Sequence, residues 1–177
     1  GKFTMVKLIL TGRLPLDVVA QELRAQIIRC HTAGMKLSFL NSHEHIHMLP
    51  SVFQITQDLA IEYSIPHVRY PIPDAINSVA PGPLIRDLAL KMLGKRNSRL
   101  LSLPVLPFLG MAVSGKLDLT YLRHTLSRLQ PGVYELMCHP GACVAEDTTS
   151  SKHSAYHQWK GELDTLKSNE FRTLCHQ

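Results

Sequence analysis

Asn41-Ser42-His43-Glu44-His45-Ile46-His47-Met48-Leu49-Pro50 restricts the fold of this chain more than any other stretch. Three histidines fall at alternate positions, and Pro50 stands where a helix can begin. In an extended segment side chains repeat every two residues, so His43, His45 and His47 share one face and Glu44 and Ile46 take the other. A strand that ends in imidazoles just before a helix belongs at a strand–helix connection, where α/β proteins keep their chemistry. Neighbours at i and i+2 lie about 6.6 Å apart along a strand. Two imidazoles at that spacing can converge on one ion at about 2.0–2.1 Å per nitrogen, but His43 and His47 are too far apart for one ion to hold all three. One or two then bind metal, and the rest orient, hydrogen-bond or meet substrate. The alternative is a solvated histidine cluster, or rings satisfied by backbone carbonyls.

The flanking pattern alternates between helix and strand. Residues 1–14 are mixed and read as a loop or a weakly anchored segment. Residues 16–33 form an amphipathic helix through Val19, Leu23 and Ile27, with Gly34 as its C-terminal cap. Residues 37–41 enter the histidine row as a strand, and 51–63 make a helix with Phe53, Leu59 and Ala60 inward. Residues 66–70 are a short strand carrying Arg69, followed by a proline-rich loop over 71–82. A helix over 84–93 closes at Gly94, and 95–115 reads as a flap or inserted loop. A helix over 118–129 is capped by Asp118 or Thr120. A strand over 132–138 delivers His139-Pro140-Gly141 to a loop. Residues 145–154 are polar, 155–168 helical, and 171–175 a last short strand. This order predicts one α/β domain over 1–177 with a mainly parallel sheet. The strand ends then bring the histidine row, Arg69 and His139 to one rim.

Several function classes fall away. The net charge of +5 is spread out, and its densest run, Lys91, Lys95, Arg96 and Arg99, has no aromatic interleaving for base stacking. No nucleic-acid partner is expected. No apolar run reaches the ~20 residues of a membrane span. Pro104 and Pro107 interrupt the richest one, and no signal peptide is visible. The four cysteines include no CxxC pair, so a reducing cytoplasm is the expected home. Cys138 abuts His139, but adjacent strand residues face opposite sides, so Cys138 reads as a core residue and not as a nucleophile.

The constellation suits metal-assisted amide hydrolysis. A divalent ion polarises the carbonyl and acidifies a bound water, and an acid must protonate the leaving amine. His139 is the candidate acid. Arg69 holds a substrate hydroxyl or carboxylate, or pairs with a buried acid. Glu135 shares the His139 face four residues deeper and is a candidate supporting partner. The other acids, Asp87, Glu162 and Asp164 among them, fall on helix faces. No aspartate stands at a strand end, so the residues make half a catalytic site.

These motifs resemble the YdjC-like carbohydrate deacetylases, the family of chitooligosaccharide deacetylase. Residues 42–50 resemble the D-S-H-x-H-x-H-x-x-P signature, with Asn41 in place of its aspartate. Glu135-Leu136-Met137-Cys138-His139-Pro140 resembles E-x-M-x-H-P, Ala20–Gln26 resembles the E-x-x-A-Q helix, and Val68-Arg69-Tyr70-Pro71 matches x-R-x-P. Asn41, Phe108-Leu109-Gly110 with Ser114-Gly115, and Tyr156-His157-Gln158-Trp159 resemble the hopanoid biosynthesis-associated branch, HpnK. The resemblance implies a partial, distorted (β/α) barrel and a divalent metal, magnesium or zinc, with His43 as its ligand in this chain. It implies His139 as acid or transition-state stabiliser, and an N-acetylated amino sugar or glycolipid as substrate. It places the remaining ligands ahead of Gly1, so the sequence is expected to be a fragment lacking its first strands. His45, His47 and Glu135 remain further site candidates, and a homodimer stays open. Two other readings compete. An amidohydrolase-type barrel needs a late aspartate that residues 171–175 do not offer. A truncated pseudoenzyme would bind sugar or a partner without turnover.

Overall fold

The computed structural model describes residues 2–73, 81–142 and 157–176. It divides into two compact units, Gly1–Leu106 and Pro107–Gln177. Residues 74–80 of the loop expected over 71–82, the polar stretch at 145–154, Cys143 and Tyr156 lie outside the described residues.

Four helices build the first unit: α1 (Lys2–Leu10), α2 (Leu16–Thr32), α3 (Pro50–Glu62) and α4 (Pro81–Asn97). α2 follows its apolar period. Val19 and Ile27 are buried, and Leu23 packs on the cluster of Ile9, Val19 and Val52. Gly34 follows the helix at φ 78°, in the left-handed region that favours glycine. Pro50 opens α3, where its missing N–H costs nothing, and Phe53, Leu59 and Ala60 are buried as the pattern requires.

Two expectations in this unit are corrected. Residues 1–14 are not a loop, because α1 occupies most of them and buries Ile9 against Val19 and Val52. Tertiary contact, not local signal, makes that segment helical. Nor does Gly94 end its helix, since α4 runs on to Asn97. Gly94 instead lies within the helix, close against side chains of the segment before it. A Cβ there would press on the tip of the Ile72 side chain, which would have to turn aside, and the Tyr70 hydroxyl donates to the Gly94 carbonyl at 2.5 Å.

The strands expected at 37–41 and 66–70 meet as a single parallel bridge, Leu40 with Val68. Leu40 N–H donates to His67 O and Arg69 N–H to Leu40 O, each at 2.9 Å. This bridge aligns the entry to the histidine row with the segment carrying Arg69.

The second unit pairs β1 (Phe108–Leu109) with β2 (Glu135–Leu136) in parallel, Phe108 opposite Glu135 and Leu109 opposite Leu136. Between them runs α5 (Leu119–Leu126), capped by Asp118, whose carboxylate accepts from Tyr121 N–H at 2.8 Å. Then come α6 (Trp159–Lys167) and α7 (Asn169–Cys175). The strand expected at 171–175 is therefore helix. Ser168 caps it by accepting from Phe171 N–H at 3.1 Å, and Arg123 of α5 pairs with Glu170. Parallel strands joined through a helix make this an α/β arrangement. Among the described residues, one two-stranded sheet and one bridge do not of themselves make a barrel.

Gly110 ends β1 at φ 93°, and a Cβ there would lie 2.6 Å from Met137 O. Both the torsion and the neighbouring backbone exclude a side chain. Gly110→Ala is expected to destabilise the protein by about 2–4 kcal/mol, combining left-handed strain with a backbone clash. A urea titration followed by circular dichroism measures it.

Candidate functional site

The first unit holds the histidine row, but not as a strand. His43–Met48 is a run of 3-10 turn, with Glu44 (φ 51°, ψ 29°) and His45 (φ 59°, ψ 28°) both left-handed. Each such non-glycine residue stores about 1–2 kcal/mol. Ser42 holds the turn, because its carbonyl accepts from His45 N–H at 3.3 Å and its hydroxyl from His47 N–H at 2.9 Å. The period-two face is thereby broken. His43 is open to solvent, with 90% of its side chain exposed. His45 is half-buried and meets the His47 ring edge-on at 6.4 Å between centroids. His47 is buried.

Both nitrogens of His47 are committed. Nε2 lies 2.7 Å from the Arg69 carbonyl, which can only accept, so Nε2 carries the proton. Nδ1 then accepts from the Ser42 hydroxyl at 2.7 Å. Here is the ring satisfied by a backbone carbonyl, and it locks the turn onto the segment of Arg69. Burial pushes the His47 pKa down to about 4, so the ring stays neutral. In the unfolded chain it titrates near 6.5. Between those values the unfolded chain binds a proton that the folded one refuses. Stability is therefore full above about pH 6.5 and falls as the pH drops toward 4. The loss is about 3 kcal/mol at 1.36 kcal/mol per unit. Urea midpoints at pH 7 and pH 4.5 should show this fall, and His47→Asn should shrink it.

The Arg69 guanidinium lies over the Phe39 ring at 5.9 Å, a cation–π contact beside the row. A cavity of about 450 Å³ opens among α1, α2, α3 and residues 37–47. Its lining is largely apolar, Ile9, Leu23 and Ile27 included, and takes in Asn41, Ser42 and His43.

The second unit holds His139, three residues after β2. Its main-chain N–H donates to Glu162 Oε2. Its ring packs on His157 at 4.7 Å, and His157 stacks on Trp159 at 5.9 Å with 10° between planes. The Nδ1 of His139 is buried without a hydrogen-bond partner. The loop is fixed twice more. Gly141 N–H donates to Trp159 O at 3.1 Å, and Gln158 N–H to Gly115 O at 2.7 Å. Glu135, paired with Phe108, is half-buried on β2.

Glu162 was not singled out by sequence reasoning, which placed it among helix-face acids. It is 1% exposed. Its Oε1 accepts from Leu117 N–H at 3.1 Å, while Oε2 takes the His139 N–H. A signal existed, because Glu162 falls in phase with Trp159, Leu163 and Leu166 on the inner side of α6.

A metal set is not closed by these side chains. Among the described residues, no three His, Cys, Asp or Glu stand together as ligands. His43 Nε2 lies 4.0 Å from Glu44 Oε2, so the first unit presents one open imidazole beside one carboxylate. Among the described residues no helix is long and apolar enough to cross a membrane.

The model of the family described as YdjC-like protein matches residues 1–177. The chain is 32% identical over 158 residues to a chitooligosaccharide deacetylase of Klebsiella pneumoniae, covering 89% of this chain and 56% of that protein. It is 46% identical over 55 residues to a carbohydrate deacetylase of Brevibacillus brevis, covering 31% of this chain and 22% of the relative. It is 32% identical over 73 residues to a carbohydrate deacetylase of Xenopus laevis, covering 41% and 24%. The matched stretches span from about a fifth to just over half of these relatives.

Proposed function

The chain belongs to the YdjC-like protein family, and from that membership we propose that it serves the hydrolytic removal of an N-acetyl group from an amino sugar. The observation that supports this most is the match to a chitooligosaccharide deacetylase over 89% of the chain. The substrate is an N-acetylated oligosaccharide or a lipid-linked glucosamine, hopanoid-linked if Asn41 marks that branch. The setting is cytoplasmic, and the assembly is left open between a monomer and a homodimer.

His43 is the ligand that the first unit offers to a divalent cation, zinc or magnesium. Its ring is open, whereas that of His47 is committed on both sides. The described residues do not close a ligand shell around one ion. Arg69, held by its backbone to Leu40 and His47, orients a hydroxyl or carboxylate of the sugar. Water adds to the acetyl carbonyl, and the imidazolium form of His139 gives its Nε2 proton to the amide nitrogen as the C–N bond breaks, which leaves acetate and the free amine. Glu135 supports the strand that delivers His139. The open ligand set favours one second reading, a sugar-binding chain without turnover.

Acetate release separates the two readings. The full gene product carrying this sequence is offered N-acetylglucosamine oligomers and an N-acetylglucosaminyl lipid, with and without chelator. Release that chelator stops and zinc or magnesium restores supports the deacetylase. Sugar binding without release from any of these substrates supports the second reading.

A further inference from the structure

We propose that Glu162 is the positioning residue for His139, a role that rests on His139 acting as the acid. A carboxylate is seldom fully buried without a dedicated partner. Glu162 is 1% exposed, and main-chain hydrogen bonds occupy both of its oxygens. One comes from Leu117, just ahead of α5, and the other from His139 itself, 23 residues before Glu162.

The position of Glu162 is in turn set by the start of α6. Its own N–H donates to Gln158 O at 2.9 Å, and Gln158 N–H donates to Gly115 O at 2.7 Å. Gly141 N–H donates to Trp159 O at 3.1 Å, so both sides of His139-Pro140 are tied to the same helix. A Cβ on Gly141 would lie 3.2 Å from Trp159 Cβ, which leaves the loop little room to shift.

The ring of His139 has no hydrogen bond at Nδ1 to orient it. Catalytic histidines are commonly oriented through that nitrogen by a carboxylate. Here the carboxylate grips the main chain instead, and the ring is set by its contact with His157. Without Glu162 the His139 N–H and the Leu117 N–H lose their acceptor in a buried place. The loop then moves to satisfy them and carries the imidazole with it.

The test is a double-mutant cycle on the full chain. Glu162→Gln keeps the shape and one acceptor oxygen, but faces the second N–H with an amide NH2. It is expected to lower kcat for acetate release by about 10- to 100-fold, with KM changed less than about threefold, as for a displacement near 1 Å. In a His139→Ala background the same change should cost less than about twofold, because there is no acid left to position. A factor equal in both backgrounds, or an unchanged kcat in folded Glu162→Gln, overturns the proposal. If Glu162→Gln does not fold, Glu162→Asp, which reaches only one of the two N–H groups, is read by the same cycle. His139→Ala by itself keeps the two questions apart. Wild-type activity in that variant removes the acid assignment, whereas loss of activity there with no coupling to Glu162 removes only the positioning role.

Discussion

Replacing His43 by alanine is expected to abolish chelator-sensitive acetate release, lowering kcat/KM by at least about a thousandfold, while leaving the fold intact. The two halves of this expectation have different sources. The fold is spared because 90% of the His43 side chain is exposed. Exposed substitutions of this kind change stability by about ±0.5 kcal/mol. The activity is lost because His43 is the imidazole that the histidine turn leaves open to a cation. Removing His47 should do the reverse. Its ring is buried between Ser42 and Arg69, so His47→Ala strands a hydroxyl and a carbonyl and destabilises the first unit. Calorimetric titration with zinc, read beside a thermal melt, separates the two variants. A His43→Ala protein that still binds zinc and still releases acetate would remove the ligand assignment.

His139→Ala is the second large effect. A positioned general acid contributes about 10²–10⁴-fold, so kcat should fall by that factor. The loop should keep its place, because the bond to Glu162 comes from the main chain, which alanine retains. The loss should depend on the leaving group. An amide must leave as a protonated amine, whereas an activated aryl acetate leaves without a proton. Comparing the N-acetyl sugar with an aryl acetate therefore distinguishes proton delivery from substrate binding. Equal losses on both substrates would rule out an acid.

Local signals carried much of the fold. The apolar period of Val19, Leu23 and Ile27, the Pro50 start and the Asp118 cap each act within a turn or two, and each element stands where those signals place it. Where local signals were weak, neighbours decided. α1 is helical because Ile9 finds Val19 and Val52, and α7 is helical because Ser168 caps it and Glu170 finds Arg123. A run such as Phe171-Arg172-Thr173-Leu174-Cys175 satisfies strand composition equally well. At Gly94 the breaker signal misled, since the helix runs on through it to Asn97.

The candidate site divides in the same way. Its residue types, spacing and family membership are written in the chain, because signatures such as residues 42–50 and 135–140 are contiguous. Only the tertiary structure decided which of the three histidines is open, which is a buried brace, and that Glu162 reaches the His139 loop. The reason is distance along the chain. His47 is fixed by Arg69, 22 residues on, and His139 by Glu162, 23 residues on. Neither partnership has a local pattern, and each exists only once packing has brought the segments together and removed the water that would otherwise satisfy those groups.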